Sequence, residues 1–181
     1  MTIDVDKNWQ LLIDGAWVDP AGGTYEIIDP NTTGVVGHAP EATAHQAEDA
    51  AAAAKAAYAD WKSLSREERG AYIDRIGHEI EQRSPDWVAT VQAETGATIN
   101  NTESLQVGGP AVDRFRYYAT PIDLDESLRP LPQDKSPLGP AGLMSARVVH
   151  QPVGVVACIT PYNFPITNVA GKMAPALAAG C

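Results

Sequence analysis

Residues 153–180 constrain this chain most, because they read as a strand, a loop and a helix in direct succession. Residues 153–159 are apolar except for Gly154, with the length and β-branched content of a strand that is buried on both faces. Pro161 and Pro165 then interrupt the backbone and predict a tight loop. Strands of this kind are typical of parallel sheets, so the sequence predicts an α/β fold.

The residues after Pro165 predict a helix with one apolar face that ends at Gly180. The residues of that face are Ile166, Val169, Ala170, Met173 and Leu177. Ligands of open α/β sheets bind outside the carboxyl ends of the strands. The polar residue in the predicted loop, Asn163, is therefore the first candidate for a functional side chain, although an asparagine in such a turn often bonds only its own backbone.

The first forty residues predict β-structure. Asp14 and Gly15 separate two apolar runs, which predicts a hairpin with a type I′ turn over residues 10–19. A second extended segment is predicted over 25–28, and the turn-forming residues 29–34 follow it.

Four helices are predicted next. Capping boxes at Thr43 and Ser65 begin helices over 44–62 and from 66 to the Ser84–Pro85 interruption. A third helix is predicted over 85–95, and a fourth over 102–122 with Leu105, Val112, Phe115 and Ala119 inward and a bend at the glycines before Pro110.

Residues 127–142 contain four prolines and predict an irregular loop or arm, and alternating apolar residues over 144–148 predict a strand. We therefore divide the chain into a hairpin-and-helix part over 1–126, a proline-rich loop and arm over 127–151, and a strand–loop–helix unit over 152–181. That last unit is incomplete as a sheet, because a parallel strand needs a neighbour.

Composition excludes several classes of function. The net charge of −10 without a basic cluster argues against nucleic acid and anionic membranes as partners. The first residues have no apolar core of signal-peptide length and no run is long enough to span a membrane, which predicts a cytoplasmic protein. The two cysteines have no zinc spacing, and Cys158 is expected to be a buried structural thiol. The four histidines form no pattern of a metal site or a triad, so no metal is predicted.

The run P-x-G-V-V-x-x-I-x-P-Y-N-F-P from Pro152 to Pro165, the lysine nine residues after Asn163, and P-A-L-A-A-G over 175–180 resemble the aldehyde dehydrogenase superfamily. Further resemblances lie upstream. They are Ile13 to Trp17, Asp29-Pro30, Trp61, Glu94 to Gly96, and Arg116 to Ala119. The resemblance implies the N-terminal part of an NAD- or NADP-dependent enzyme that oxidises a small aldehyde through a cysteine thiohemiacetal and thioester. It implies that residues 1–126 are part of the cofactor-binding domain, that 127–151 form the oligomerisation arm, and that 152–181 are the first strand–loop–helix unit of a Rossmann-like sheet. It further implies that the nucleophilic cysteine and the general base lie outside these residues, and that the protein forms a homodimer or homotetramer through the arm.

The resemblance also implies roles for single residues. Asn163 would stabilise the negative oxygen formed when a thiolate attacks the aldehyde. Lys172 would act in a proton relay, whereas without the resemblance its position predicts only a solvated charge. Contacts to the nicotinamide and its ribose are implied for Ile159, Thr160, Pro161, Tyr162 and Asn163, and a substrate tunnel for Phe164, Asn168 and Gly171. The cofactor rests on the resemblance alone, since no Gly-x-Gly-x-x-Gly is present.

The sequence departs from the family pattern where Tyr162 replaces a tryptophan, Thr120 a glycine and Ala97 a lysine. Small and polar residues at 168 and 171 predict a wider, more polar tunnel. Two other hypotheses stay open: a catalytically inactive module that acts in partner binding or oligomerisation through an unpaired sheet edge, and a cofactor-free enzyme on an α/β scaffold, which no acid–base pair or nucleophile elbow supports.

Overall fold

Two antiparallel hairpins open the computed structural model, which describes residues 3–121, 124, 126–135, 137 and 139–181. In the first, β1 (Leu11–Ile13) pairs with β2 (Ala16–Val18). The φ angles of Asp14 and Gly15 are 51° and 74°, which a type I′ turn requires. This confirms the predicted hairpin. The second pairs β3 (Thr24–Ile28) with β4 (Val35–Pro40).

Two capped helices follow. Capping boxes at Thr43 and Ser65 begin α1 (Ala44–Ser63) and α2 (Arg66–Thr95), as predicted. The predicted break at Ser84–Pro85 is wrong, because α2 runs through both residues. The Ser84 hydroxyl lies 2.6 Å from the Ile80 carbonyl oxygen and 3.1 Å from that of Val107. Packing against the next segment therefore outweighs the cost of a proline inside the helix.

The predicted fourth helix is divided into two parts, and a short helix precedes it. A three-residue helix α3 (Ile99–Asn101) leads into a π-helical segment (Thr102–Val107), and α4 (Gly109–Ala119) follows. The wide turn changes which side chains face inward, and so Leu105 is 46% exposed where a buried residue was predicted. The predicted end of this helix at residue 122 lies outside the described residues.

The core forms where α2, α4 and α5 (Pro165–Ala178) pack together. Its fully buried residues come from all three helices. They are Ile73, Ala111, Phe115, Ala170 and Ala174. Gly70 and Gly77 of α2 let α4 approach closely: a Cβ atom on Gly77 would lie 3.1 Å from Cβ of Phe115, and one on Gly70 would overlap the Ala119 carbonyl oxygen.

Helix α5 ends as its sequence predicts. Gly180 has a φ of 88°, and the backbone N–H groups of Gly180 and Cys181 donate to the carbonyls of Leu177 and Ala176, both at 3.0 Å. This is the Schellman arrangement, in which a left-handed glycine closes the last turn. The predicted face of α5 is buried at Ala170 and partly buried at Ile166, Met173 and Leu177, while Val169 is 39% exposed.

The arm contains more regular structure than predicted. β5 (Glu126–Ser127) pairs with β8 (Arg147–Val148), and β6 (Leu131–Gln133) with β7 (Gly142–Met144). The proline-rich segment therefore forms strands. Pro132 is tolerated in β6 because this sheet has only two strands, and its open edge needs no backbone N–H donor from the proline. The single strand predicted over 144–148 is interrupted at residues 145 and 146.

The apolar run over 153–159 forms no strand, and the prediction of a buried parallel strand within this chain is wrong. Val153 is 87% exposed and Ile159 83% exposed. A parallel strand requires neighbours on its hydrogen-bonding edges, and none of the described residues pairs with this run. The chain accordingly presents 12203 Å² of accessible surface, whereas a compact monomer of 19.2 kDa presents roughly 8400 Å².

Candidate functional site

The loop that carries the candidate residues lies between the exposed apolar run and α5. Asn163 is exposed, and its Oδ1 lies 3.4 Å from Nδ2 of Asn168, which also lies 3.4 Å from the Pro161 carbonyl oxygen. Asn168 therefore bridges the first turn of α5 to two points of the loop. Because Oδ1 of Asn163 is engaged, its Nδ2 donors face away from this contact and have no partner among the described residues.

The first turn of α5 is fixed from its buried side. Thr167, next to Asn168, is buried, and its hydroxyl lies 2.8 Å from the Leu105 carbonyl oxygen and 3.1 Å from that of Gln106. These are carbonyls of the π-helical segment, where the normal helical pattern is disturbed. The hydrogen bonds hold the base of the loop against the core, which limits the movement of Asn168 and of the amide it contacts.

The residues expected to contact the nicotinamide lie on one open edge. Pro161 and Asn163 are exposed, and Thr160 is partly buried. Ile159 is 83% exposed and Tyr162 91% exposed, so an aliphatic and an aromatic surface are available to a planar ring. Phe164 is half-buried and immediately precedes α5.

A residue that sequence reasoning missed lies beside the predicted tunnel. A Cβ atom on Gly171 would lie 3.2 Å from Nε of Arg114, so the arginine of α4 lies directly beside the exposed glycine of α5. The Nη1 group of Arg114 donates to the Pro110 carbonyl oxygen at 2.9 Å. In the sequence, the signal that could have drawn attention to Arg114 was a long cationic residue on a helix whose other face is apolar.

Lys172, which follows Gly171 in α5, is exposed, in agreement with its position off the apolar face of the helix. No hydrogen bond or ion pair joins it to another described residue. Its charged group is therefore open to a ligand or to solvent.

Neither cysteine is placed for catalysis by the described residues. Cys158 is an exposed free thiol, so the prediction that it is buried is wrong, because the sheet neighbours that would cover its segment are not formed. Cys181 is a free thiol of intermediate exposure. Within the described ranges no three His, Cys, Asp or Glu side chains gather as a metal site, and no helix is long and apolar enough to cross a membrane.

A cavity of about 980 Å³ lies between the second hairpin, α2 and the start of α5. Its lining includes Tyr162 and Pro165 as well as Trp87, His38 and Glu94. Glu94 is exposed by its accessible surface, although the protein atoms around its carboxyl desolvate it enough to raise its pKa. The cavity thus adjoins the loop, although its lining forms no catalytic constellation.

Comparisons with known proteins agree with the resemblance read from the sequence. The aldehyde dehydrogenase family model matches residues 17–181. A chloroplastic betaine aldehyde dehydrogenase from Amaranthus hypochondriacus is 36% identical over 180 residues, which are 95% of this chain and 34% of that protein.

Two solved structures extend the likeness to the fold. An aldehyde dehydrogenase from Pseudomonas syringae, solved with NAD+ and octanal, is 28% identical with a TM-score of 0.80, covering 96% of this chain and 33% of that one. A betaine aldehyde dehydrogenase from Staphylococcus aureus, solved with NAD+, is 29% identical with a TM-score of 0.75, covering 97% and 34%. The chain thus spans about a third of the length of the relatives it matches, and the predicted fold class is confirmed.

Proposed function

Because the chain belongs to the aldehyde dehydrogenase family, we propose that it is the N-terminal part of an NAD(P)-dependent enzyme that oxidises an aldehyde to a carboxylic acid. The observation that carries the proposal is the amide of Asn163, exposed at the end of the apolar run, with Oδ1 held by Asn168 and Nδ2 free to donate. The nucleophile and the general base are then supplied by residues outside this chain.

Asn163 acts on the charge that develops during attack. When a thiolate adds to the aldehyde carbon, the carbonyl oxygen becomes an alkoxide, and a fixed N–H donor stabilises it more than it stabilises the neutral carbonyl. The thiohemiacetal then loses a hydride, and water hydrolyses the resulting thioester. A bound nicotinamide supplies the hydride acceptor, and the open edge formed by Ile159 to Asn163 fits a planar ring of that kind.

Lys172 and the tunnel residues complete the proposed site. The exposed ammonium of Lys172, one residue beyond Gly171, is available to move a proton or to contact a cofactor hydroxyl. Phe164, Asn168 and Gly171 line the approach of the substrate. Of the three, only Phe164 is large and apolar, which supports a wide and polar approach.

The proposal includes a homodimer or homotetramer in the cytoplasm. The arm supports the assembly, since Leu131, Leu143 and Met144 on β6 and β7 are all more than half exposed. Exposed apolar side chains on short strands mark a surface that another chain can cover. Two free thiols are typical of a reducing compartment.

The experiment begins with the mass of the natural protein and the reading frame after Cys181, and then assays the full-length protein with a panel of aldehydes. We expect aldehyde-dependent reduction of NAD+ or NADP+, and a loss of about 10²–10³ in kcat for Asn163→Ala. Absence of cofactor reduction across the whole panel would refute the proposal.

The second candidate is a catalytically inactive module that binds a partner. It is favoured by the unpaired apolar run and by an accessible surface well above that of a compact monomer of this mass. A natural protein with a mass near 19.2 kDa that co-purifies with a second chain would support it. A longer protein with dehydrogenase activity would exclude it.

A further inference from the structure

We propose that Arg114 binds a carboxylate at the far end of the substrate, so that the preferred substrate is an oxo acid with an aldehyde at one end and a carboxylate at the other. This inference rests on the proposed function and names the substrate class of the same site. Its starting point is the contact between Arg114 of α4 and Gly171 of α5.

The glycine makes room for the guanidinium. With no side chain at position 171, the Cδ, Nε and Cζ atoms of Arg114 lie 3.5, 3.2 and 3.9 Å from the point where a Cβ would stand. A Cβ atom at this position would be closer to Nε than an ordinary van der Waals contact, so the arginine would have to shift by a few tenths of an ångström. The cationic side chain of Arg114 on α4 therefore lies close to the space that a side chain at position 171 of α5 would fill.

The guanidinium keeps most of its donors free. Arg114 is half-buried and donates to the Pro110 carbonyl oxygen, but no carboxylate of the described residues forms an ion pair with it. A guanidinium carries five N–H donors and stays protonated, and its planar fork matches the two oxygens of a carboxylate. An anionic ligand is therefore the type of ligand that best matches the free donors of Arg114.

The position fits the far end of a short substrate. Gly171 follows Asn168 by three residues, so it lies about 4.5 Å farther along the helix axis. Asn168 in turn contacts Asn163, whose amide faces the reacting oxygen in the proposed mechanism. A carboxylate at Arg114 thus lies about one helical turn beyond the loop that holds the aldehyde.

Another arginine of the same helix provides a matched control. Arg116 is exposed, and its Nη2 lies 2.6 Å from Oε2 of Glu81, so its charge is already paired. Replacing Arg116 removes the same charge from α4 without changing the surroundings of Gly171.

The experiment uses the full-length enzyme with paired substrates of equal chain length, succinate semialdehyde against butanal and glutarate semialdehyde against pentanal. We expect kcat/KM to favour the oxo acids. Arg114→Gln should lower kcat/KM for the oxo acids by about 10- to 100-fold, as expected for the loss of hydrogen bonds to a charged group, and leave the neutral aldehydes nearly unchanged. Arg114→Lys should retain part of the preference, and Arg116→Gln should retain all of it.

Gly171→Ala provides a second variant, since its methyl group presses on Nε and should weaken the preference in the same direction. Equal losses for both substrate classes in Arg114→Gln, or no preference in the unchanged enzyme, would overturn the inference while leaving the proposed function in place. If the enzyme oxidises no aldehyde, the proposed function and this inference fail together.

Discussion

The contact between Asn168 and Asn163 predicts that a residue outside the reaction controls the catalytic amide. In Asn168→Asp, a carboxylate replaces the donor that now faces Oδ1 of Asn163 at 3.4 Å. Two acceptors would then oppose each other, so the Asn163 amide should rotate and donate to the carboxylate. Rotation removes the N–H donor from the position where the alkoxide forms.

The size of the effect follows from what each variant removes. Asn168→Leu deletes two long hydrogen bonds of 3.4 Å, which we value together at about 1 kcal/mol. This corresponds to about a fivefold lower kcat if the amide becomes mobile. Asn168→Asp misorients the donor and should approach the loss from Asn163→Ala, about 10²-fold or more.

Steady-state kinetics of the full-length enzyme check this prediction. We expect kcat to fall, since the donor acts mainly on the transition state. The double variant Asn163→Ala with Asn168→Asp should be no slower than Asn163→Ala alone, because both changes act through one amide. Additive losses, or an Asn168→Asp variant with unchanged kcat, would refute this account of the contact.

Three further predictions concern the 181-residue chain and are measured by thermal or urea unfolding. Gly70→Ala should destabilise it by about 1–3 kcal/mol, because the methyl group would overlap the Ala119 carbonyl oxygen. Ser84→Ala should cost about 1–3 kcal/mol, because it removes the buried hydroxyl shared by α2 and the Val107 carbonyl. Glu94→Gln should give a small gain at neutral pH: partial desolvation raises the pKa of Glu94, so its charged form destabilises the fold above that raised pKa, and the penalty disappears as the pH falls below the ordinary pKa of a glutamate.

Each of these variants has a matched control. Gly37→Ala adds a methyl group with no atom within 4 Å, and Ser104→Ala removes an exposed hydroxyl that bonds only its own helical turn. Glu103→Gln removes an exposed carboxylate. Stability losses of equal size in a core variant and its control would contradict the packing assigned here, and a Glu94→Gln variant that is less stable at pH 7 would contradict the assigned sign.

Local signals in the sequence located much of the fold because they act over a few residues. The Asp14–Gly15 turn and the capping box at Thr43 each depend on contacts within one turn, and both are present in the structure. The break predicted at Ser84–Pro85 failed because the partner of Ser84 is the Val107 carbonyl, more than twenty residues away. A local pattern carries no information about such a partner.

The same reasoning applies to the candidate site. The position of Asn163 at the end of an apolar run was visible in the sequence, but its contact with Asn168 depends on how α5 begins. Arg114 was missed because its significance comes from Gly171 on another helix. The π-helical turn, which exposes Leu105 and presents two carbonyls to Thr167, leaves no simple periodicity to read.

These contacts explain how an ordered amide can stand beside an uncovered segment. Residues 153–159 have no strand neighbour, so the N-terminal side of the loop has no sheet to hold it. The other side is held by Thr167, whose hydroxyl is bonded in the core, and by Asn168, which bridges to Asn163. The orientation of the proposed donor therefore depends on α5 more than on the apolar run. Residues that pair with this run in a longer protein would mainly order the edge that Ile159 and Tyr162 offer to the nicotinamide.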